Sequence, residues 1–130
     1  TKDGDFKAFC CLYATARDFG RIGQLYLDSG KWKGTRIIDE EFWAASIAPA
    51  TLTDRGEPNK RYGYFWWLAE LDGNPIWYCR GFHGEYVVVM PDLDLVMVRT
   101  GMKREEVNDA GHPKDVFQWI TIARDLATQR

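Results

Sequence analysis

The sequence predicts an α/β fold of the α+β kind, an antiparallel sheet flanked by helices, and three observations carry the prediction. Tyr86–Met90 and Leu95–Val98 are two Val-rich, strand-forming runs separated by Pro91-Asp92-Leu93-Asp94, a turn composition. Within Tyr86–Met90 both odd and even positions are apolar, so neither face of that strand is built for water, and such a sheet needs cover on both sides. Two capped helical patterns precede the strands and a third follows them.

In chain order, residues 1–13 form a polar lead-in and the organised domain spans 14–130. Thr15-Ala-Arg-Asp18 has the form of a capping box. Phe19, Ile22, Leu25 and Tyr26 follow at helical spacing until Gly30, which predicts a helix over about 16–28. Lys31–Arg36 reads as a basic turn. Asp39 suits the cap of a shorter helix carrying Glu40, Glu41, Phe42, Trp43 and Ile47, stopped by Pro49. Residues 50–61 read as a polar surface loop.

Tyr62–Leu68 reads as an aromatic strand, Leu71-Asp72-Gly73-Asn74 as a hairpin turn, and Pro75–Cys79 as the returning strand. After the two Val-rich strands and a polar stretch, Pro113 suits the first position of a last helix. Its stripe is Val116, Trp119, Ile120, Ala123 and Ala127.

Hydrophobic content of 45% and charged content of 28% fit a water-exposed globular domain. A net charge of −2, with no Lys/Arg cluster, argues against a nucleic-acid partner. No apolar run approaches the ~20 residues that span a bilayer. Cys10, Cys11 and Cys79 read as free or buried thiols, and with two histidines no zinc-ligand spacing exists, so neither metal nor cofactor is expected. The cysteines leave periplasm and cytoplasm both open. Six Trp, six Tyr and seven Phe mean either a heavy core or aromatic surface that awaits a partner. Two apolar sheet faces and only three helices point the same way: part of the native structure is expected in polypeptide beyond these residues or in another subunit.

The candidate functional point is Gly81-Phe82-His83-Gly84, a glycine-bracketed corner ahead of the first Val-rich strand. Ser29 and Ser46 are the only serines, and neither lies in S-x-x-K or G-x-S-x-G, so both read as helix packing or capping residues. Glu40-Glu41 and Glu105-Glu106 read as solvated surface. A Cys79–His83 dyad requires the corner to fold the two side chains together, because four extended residues span ~13 Å.

Thr15-Ala-Arg-Asp18-Phe-Gly-Arg-Ile-Gly, Tyr62-Gly-Tyr-Phe-Trp-Trp and the run from Gly81 to Val96, taken in order, resemble the C-terminal third of the serine β-lactamase-related hydrolases. That superfamily holds class C β-lactamases, D-Ala-D-Ala peptidases and esterases, and the resemblance is nearest to 6-aminohexanoate-dimer hydrolases. It implies an acyl-enzyme mechanism on an amide or ester substrate. The nucleophile and activating lysine come from S-x-x-K and the proton-transfer tyrosine from Y-x-N or Y-x-S, both absent from residues 1–130. The family's cleft-lining K-[ST]-G aligns with Cys79-Arg80-Gly81, a departure that resembles the esterase and amide-hydrolase branches more than the lactamases.

The resemblance further implies that the backbone N–H of Phe82, just past Gly81, forms half of an oxyanion hole. Arg80, His83 and Glu85 then fall at the cleft as substrate-binding candidates. For Arg80 the alternatives are a substrate carboxylate and a surface acid; for His83 they are the cleft and a structural bond to a neighbouring loop. Without the upstream nucleophile, residues 1–130 are expected to be inactive alone. The competing expectation is a non-enzymatic, aromatic-rich interaction module.

Overall fold

The computed structural model describes Gly4 and residues 12–129. Cys10, Cys11 and most of the lead-in lie outside the described residues. Helix α1 is Ala16–Leu27, capped by Thr15, whose side chain accepts the Asp18 N–H while the Asp18 carboxylate accepts back from Thr15. Those hydrogen bonds hold the Asp18 carboxyl below the usual carboxylate range. The helix ends one residue earlier than the spacing predicts, and Gly30 returns its N–H to the Leu25 carbonyl at 2.8 Å. The basic turn that follows is a two-residue-strand hairpin, β1 Lys31–Trp32 and β2 Thr35–Arg36.

Helix α2 is Glu40–Ser46, with the Asp39 carboxylate accepting from the N–H groups of Glu41 and Phe42. The predicted loop carries a second miniature hairpin, β3 Thr53–Asp54 and β4 Glu57–Pro58. The main sheet is an antiparallel meander in the order β5-β6-β7-β8: Trp67–Leu71, Asn74–Arg80, Tyr86–Met90 and Leu95–Arg99. Helix α3, Lys114–Thr128, closes the chain, with Pro113 at its cap position, one place before the predicted one.

The aromatic strand predicted at Tyr62–Leu68 is corrected. Only Trp67 and Leu68 belong to β5, and Tyr62 reaches it through a single bridge to Trp67. A tight turn splits the run: the Gly63 N–H donates to the Trp66 carbonyl at 2.8 Å, and the Tyr64 N–H donates to the Ser46 carbonyl at 2.9 Å. Glycine permits this, because a Cβ at position 63 would collide with the Ser46 carbonyl.

Both faces of the sheet are covered, as the unalternating Val run requires. All five β7 residues are buried. On one face Tyr78, Tyr86, Val88 and Met90 pack with Val116 and Ile120 of α3. On the other, Trp66, Trp77 and Val89 pack with Tyr26, Leu27 and Ile47 of the α1–α2 layer. Helix α1 approaches closely at Gly23, where a Cβ would sit 2.5 Å from Val96 Cγ1 and 3.1 Å from Val87 Cγ1. Among the described residues no helix is long and apolar enough to cross a membrane.

Candidate functional site

The corner between β6 and β7 comprises residues 81–85. Strand β6 is interior to the sheet, but β5 pairs with it only as far as Tyr78, so Cys79 and Arg80 outrun that neighbour and keep a partner only on β7. The chain therefore leaves β6 along a local free edge. The Gly81 N–H donates to the Glu85 carbonyl at 2.8 Å. The His83 N–H donates to the Glu85 carboxylate at 3.0 Å. Between these two satisfied donors, the Phe82 N–H has no hydrogen-bond partner among the described residues, and Phe82 is 82% exposed. The corner thus offers the Phe82 N–H as an unpaired donor at an exposed residue, flanked on both sides by amides that Glu85 satisfies.

Gly81 does not occupy the left-handed region; the space beside its Cα is taken by the Glu85 carboxyl group, into which a Cβ would run. Arg80 lies on the α3 face. Its guanidinium carbon sits 3.5 Å from the centroid of the Trp67 ring, and Nη1 donates to the Gly111 carbonyl at 2.9 Å. Burial and the nearby Arg104 and Arg61 charges lower the pKa of this guanidinium, while the neighbouring Tyr78 acts in the opposite sense. The His83 ring is exposed and stands edge-on to Phe82, with centroids 5.1 Å apart. Cys79 turns into the α1–α2 layer, where its Sγ donates to the Phe65 carbonyl at 3.7 Å and burial pushes the thiol up to about 12. A dyad with His83 is not formed.

The serines hold structural places. Ser46 is fully buried and donates its hydroxyl to the Trp43 carbonyl at 2.7 Å, while Ser29 stands in the turn after α1 with φ +54. Glu40, Glu41, Glu105 and Glu106 are exposed. Among the described residues no group of three or more His, Cys, Asp or Glu side chains converges on a metal-sized site.

Two buried polar pairs escaped the sequence reading. His112, 6% exposed, shares a 2.7 Å hydrogen bond through Nδ1 with the Tyr78 hydroxyl. Desolvation, then the Arg61 and Arg80 charges, pull the imidazole below its ordinary value, and burial raises the Tyr78 phenol. Asp115, 5% exposed, accepts the Tyr86 hydroxyl at 2.9 Å and lies 3.7 Å from Arg99 Nη1. Each pair joins residues about 30 apart in sequence; the only trace in the sequence is a tyrosine on a strand too apolar to need one. A scan of the chain against protein-family models finds no match.

Proposed function

We propose that residues 14–130 are the C-terminal part of a serine hydrolase of the β-lactamase-related superfamily, with that superfamily's fold, acting on amide or ester bonds through an acyl-enzyme. The chain contributes the Phe82 N–H as one oxyanion donor and the sheet end as a cleft wall. The serine, its lysine and the tyrosine come from polypeptide outside these residues or from another subunit. The observation that carries this reading is the free amide of Phe82, held between two amides that Glu85 satisfies. A donor fixed in advance toward a developing oxyanion is worth roughly 3–4 kcal/mol of barrier. In this reading His83 and Glu85 stand at the cleft rim, and Arg80, stacked on Trp67, braces the end of β6 from the α3 side.

The test is a pair of substitutions in the parent polypeptide. Phe82→Pro deletes the N–H and lowers turnover by roughly 100-fold or more, whereas Phe82→Ala keeps the N–H and most of the turnover. Equal activity in the two variants would remove the oxyanion role. A fluorophosphonate probe should leave the 130-residue chain unlabelled, and stoichiometric labelling would show that it holds a nucleophile of its own.

One observation favours the non-enzymatic reading. Phe42, Tyr64 and Phe65 are all exposed, and the Phe42 and Tyr64 rings stand 5.8 Å apart, an aromatic surface suited to a docking partner. A parent polypeptide that resists the fluorophosphonate probe while Phe42→Ala abolishes a stable complex would decide for that reading.

A further inference from the structure

The glycine corner is gripped from behind by a side chain outside it. Arg99, the last residue of β8, pairs with Tyr86 at the start of β7 and sends Nη1 to the Gly84 carbonyl. The same guanidinium reaches the Lys103 carbonyl from Nη1 at 3.4 Å and from Nη2 at 3.3 Å. It lies 5.6 Å from the Tyr86 ring centroid and 5.1 Å from that of Trp119. Asp115 anchors this assembly: its Oδ2 faces Arg99, and its Oδ1 takes the Tyr86 hydroxyl at 2.9 Å and the Glu105 N–H at 3.4 Å. A planar fork with five donors suits a site where two carbonyls, one carboxylate and two rings converge, and an ammonium does not reproduce it.

The backbone around this clamp leaves it no slack. Gly84 is buried at φ +85, and a Cβ there would strike Arg99 Nη1 and the Lys103 carbonyl. A Cβ at Gly101 would strike the Gly84 carbonyl and Arg99. The corner is thus fixed at both ends, by Glu85 on the β6 side and by Arg99 on the far side. The Phe82 peptide lies between these ends, and its N–H direction follows from theirs.

We infer that Arg99 is the positioning residue for the Phe82 amide, holding the donor in register through the Gly84 carbonyl without touching substrate. This inference rests on the hydrolase reading above. In the parent polypeptide, Arg99→Met keeps an unbranched apolar side chain but removes every donor, so kcat falls on the order of 10- to 100-fold with KM nearly unchanged. Arg99→Lys restores part of the loss. Ile76→Val, which loosens the core at the opposite end of β6, leaves kcat at its original value.

A second arm needs no activity. In the 130-residue chain, amide hydrogen exchange at His83, whose N–H is held by Glu85, accelerates about 10-fold or more in Arg99→Met while Val88 in the core keeps its protection. If Arg99→Met fails to fold, Asp115→Asn loosens the same clamp and is read in the same way. Unchanged His83 protection in a folded variant, or a kcat loss matched by Ile76→Val, overturns the inference. A parent inert to fluorophosphonate, with His83 exchange still governed by Arg99, sinks the hydrolase reading and leaves Arg99 as a corner clamp only.

Discussion

Glu85 folds its carboxylate back across Gly81, filling the volume that a side chain at position 81 would need, and there it accepts the His83 amide at 3.0 Å. The glycine is required by its neighbour's side chain, since its own backbone dihedrals ask for nothing unusual. Gly81→Ala therefore evicts the carboxylate and strands the His83 donor at a cost of about 1 kcal/mol. Glu85→Ala costs a similar amount, and the double variant costs little more than either alone. A double-mutant cycle in urea reads the coupling. Strictly additive losses would mean that the two residues do not share this space.

The sequence made the layered architecture legible because the deciding features are local or periodic. The capping box at Thr15, the Asp39 cap, the two-residue turn at Asp72-Gly73 and the unalternating Val run each act within a few residues. The aromatic run from Tyr62 misled because a tertiary contact decides its shape. Gly63 backs onto Ser46 of α2, and no pattern within Tyr62–Leu68 records that approach. The corner was visible as glycine punctuation. The groups that fix it were not: Glu85 was read as a cleft residue although its carboxylate folds back onto the corner, and Arg99 and Asp115 meet partners on other elements. Arg80 was read as free to meet a substrate or a surface acid; the ring that takes its charge sits on β5, thirteen residues earlier.

His112 gives the fold a pH dependence whose sign is set by its burial. Its folded pKa lies below the ordinary imidazole value of 6.5, so the unfolded chain binds more protons between the two values. The stabilisation is complete above about pH 6.5 and is lost as the pH falls through the depressed folded value. Urea midpoints measured from pH 7.5 downward should therefore fall across this window. His112→Phe flattens that limb, though it lowers stability at neutral pH by about 1–3 kcal/mol because Tyr78 loses its partner. An unchanged slope in the variant would assign the pH dependence to other groups.

Trp77 carries the one buried side-chain donor among the described residues with no partner, its indole Nε1. The ring packs beside Trp66 and Val89 in the α1–α2 layer. Trp77→Phe removes the stranded N–H along with part of the ring, and the two effects oppose each other: an unsatisfied donor costs about 1–3 kcal/mol and the lost surface costs a comparable amount. The expected change in stability is within about 1 kcal/mol of zero. Trp66→Phe, which offers no such relief in the same layer, should lose distinctly more. Equal losses at the two positions, measured by thermal or urea unfolding, would show that the Trp77 donor is satisfied in solution.

Phe65 sits at φ +67, in the left-handed region, where an aromatic residue is a true outlier. Its ring is exposed, so packing gives little return for a conformation that costs roughly 1–2 kcal/mol. The turn is imposed from outside, by the Gly63 bond to Trp66 and by Tyr64 tied to Ser46. Phe65→Gly removes the steric cost but enlarges the freedom of the unfolded chain by about 0.5–1 kcal/mol, so the net effect is a stabilisation of about 0.5–1 kcal/mol. Tyr64→Gly, one residue away and without positive φ, gains nothing and destabilises. The comparison isolates backbone strain from ring removal, because both substitutions delete an exposed aromatic side chain. A Phe65→Gly chain that unfolds as early in urea as Tyr64→Gly would show that position 65 stores no strain.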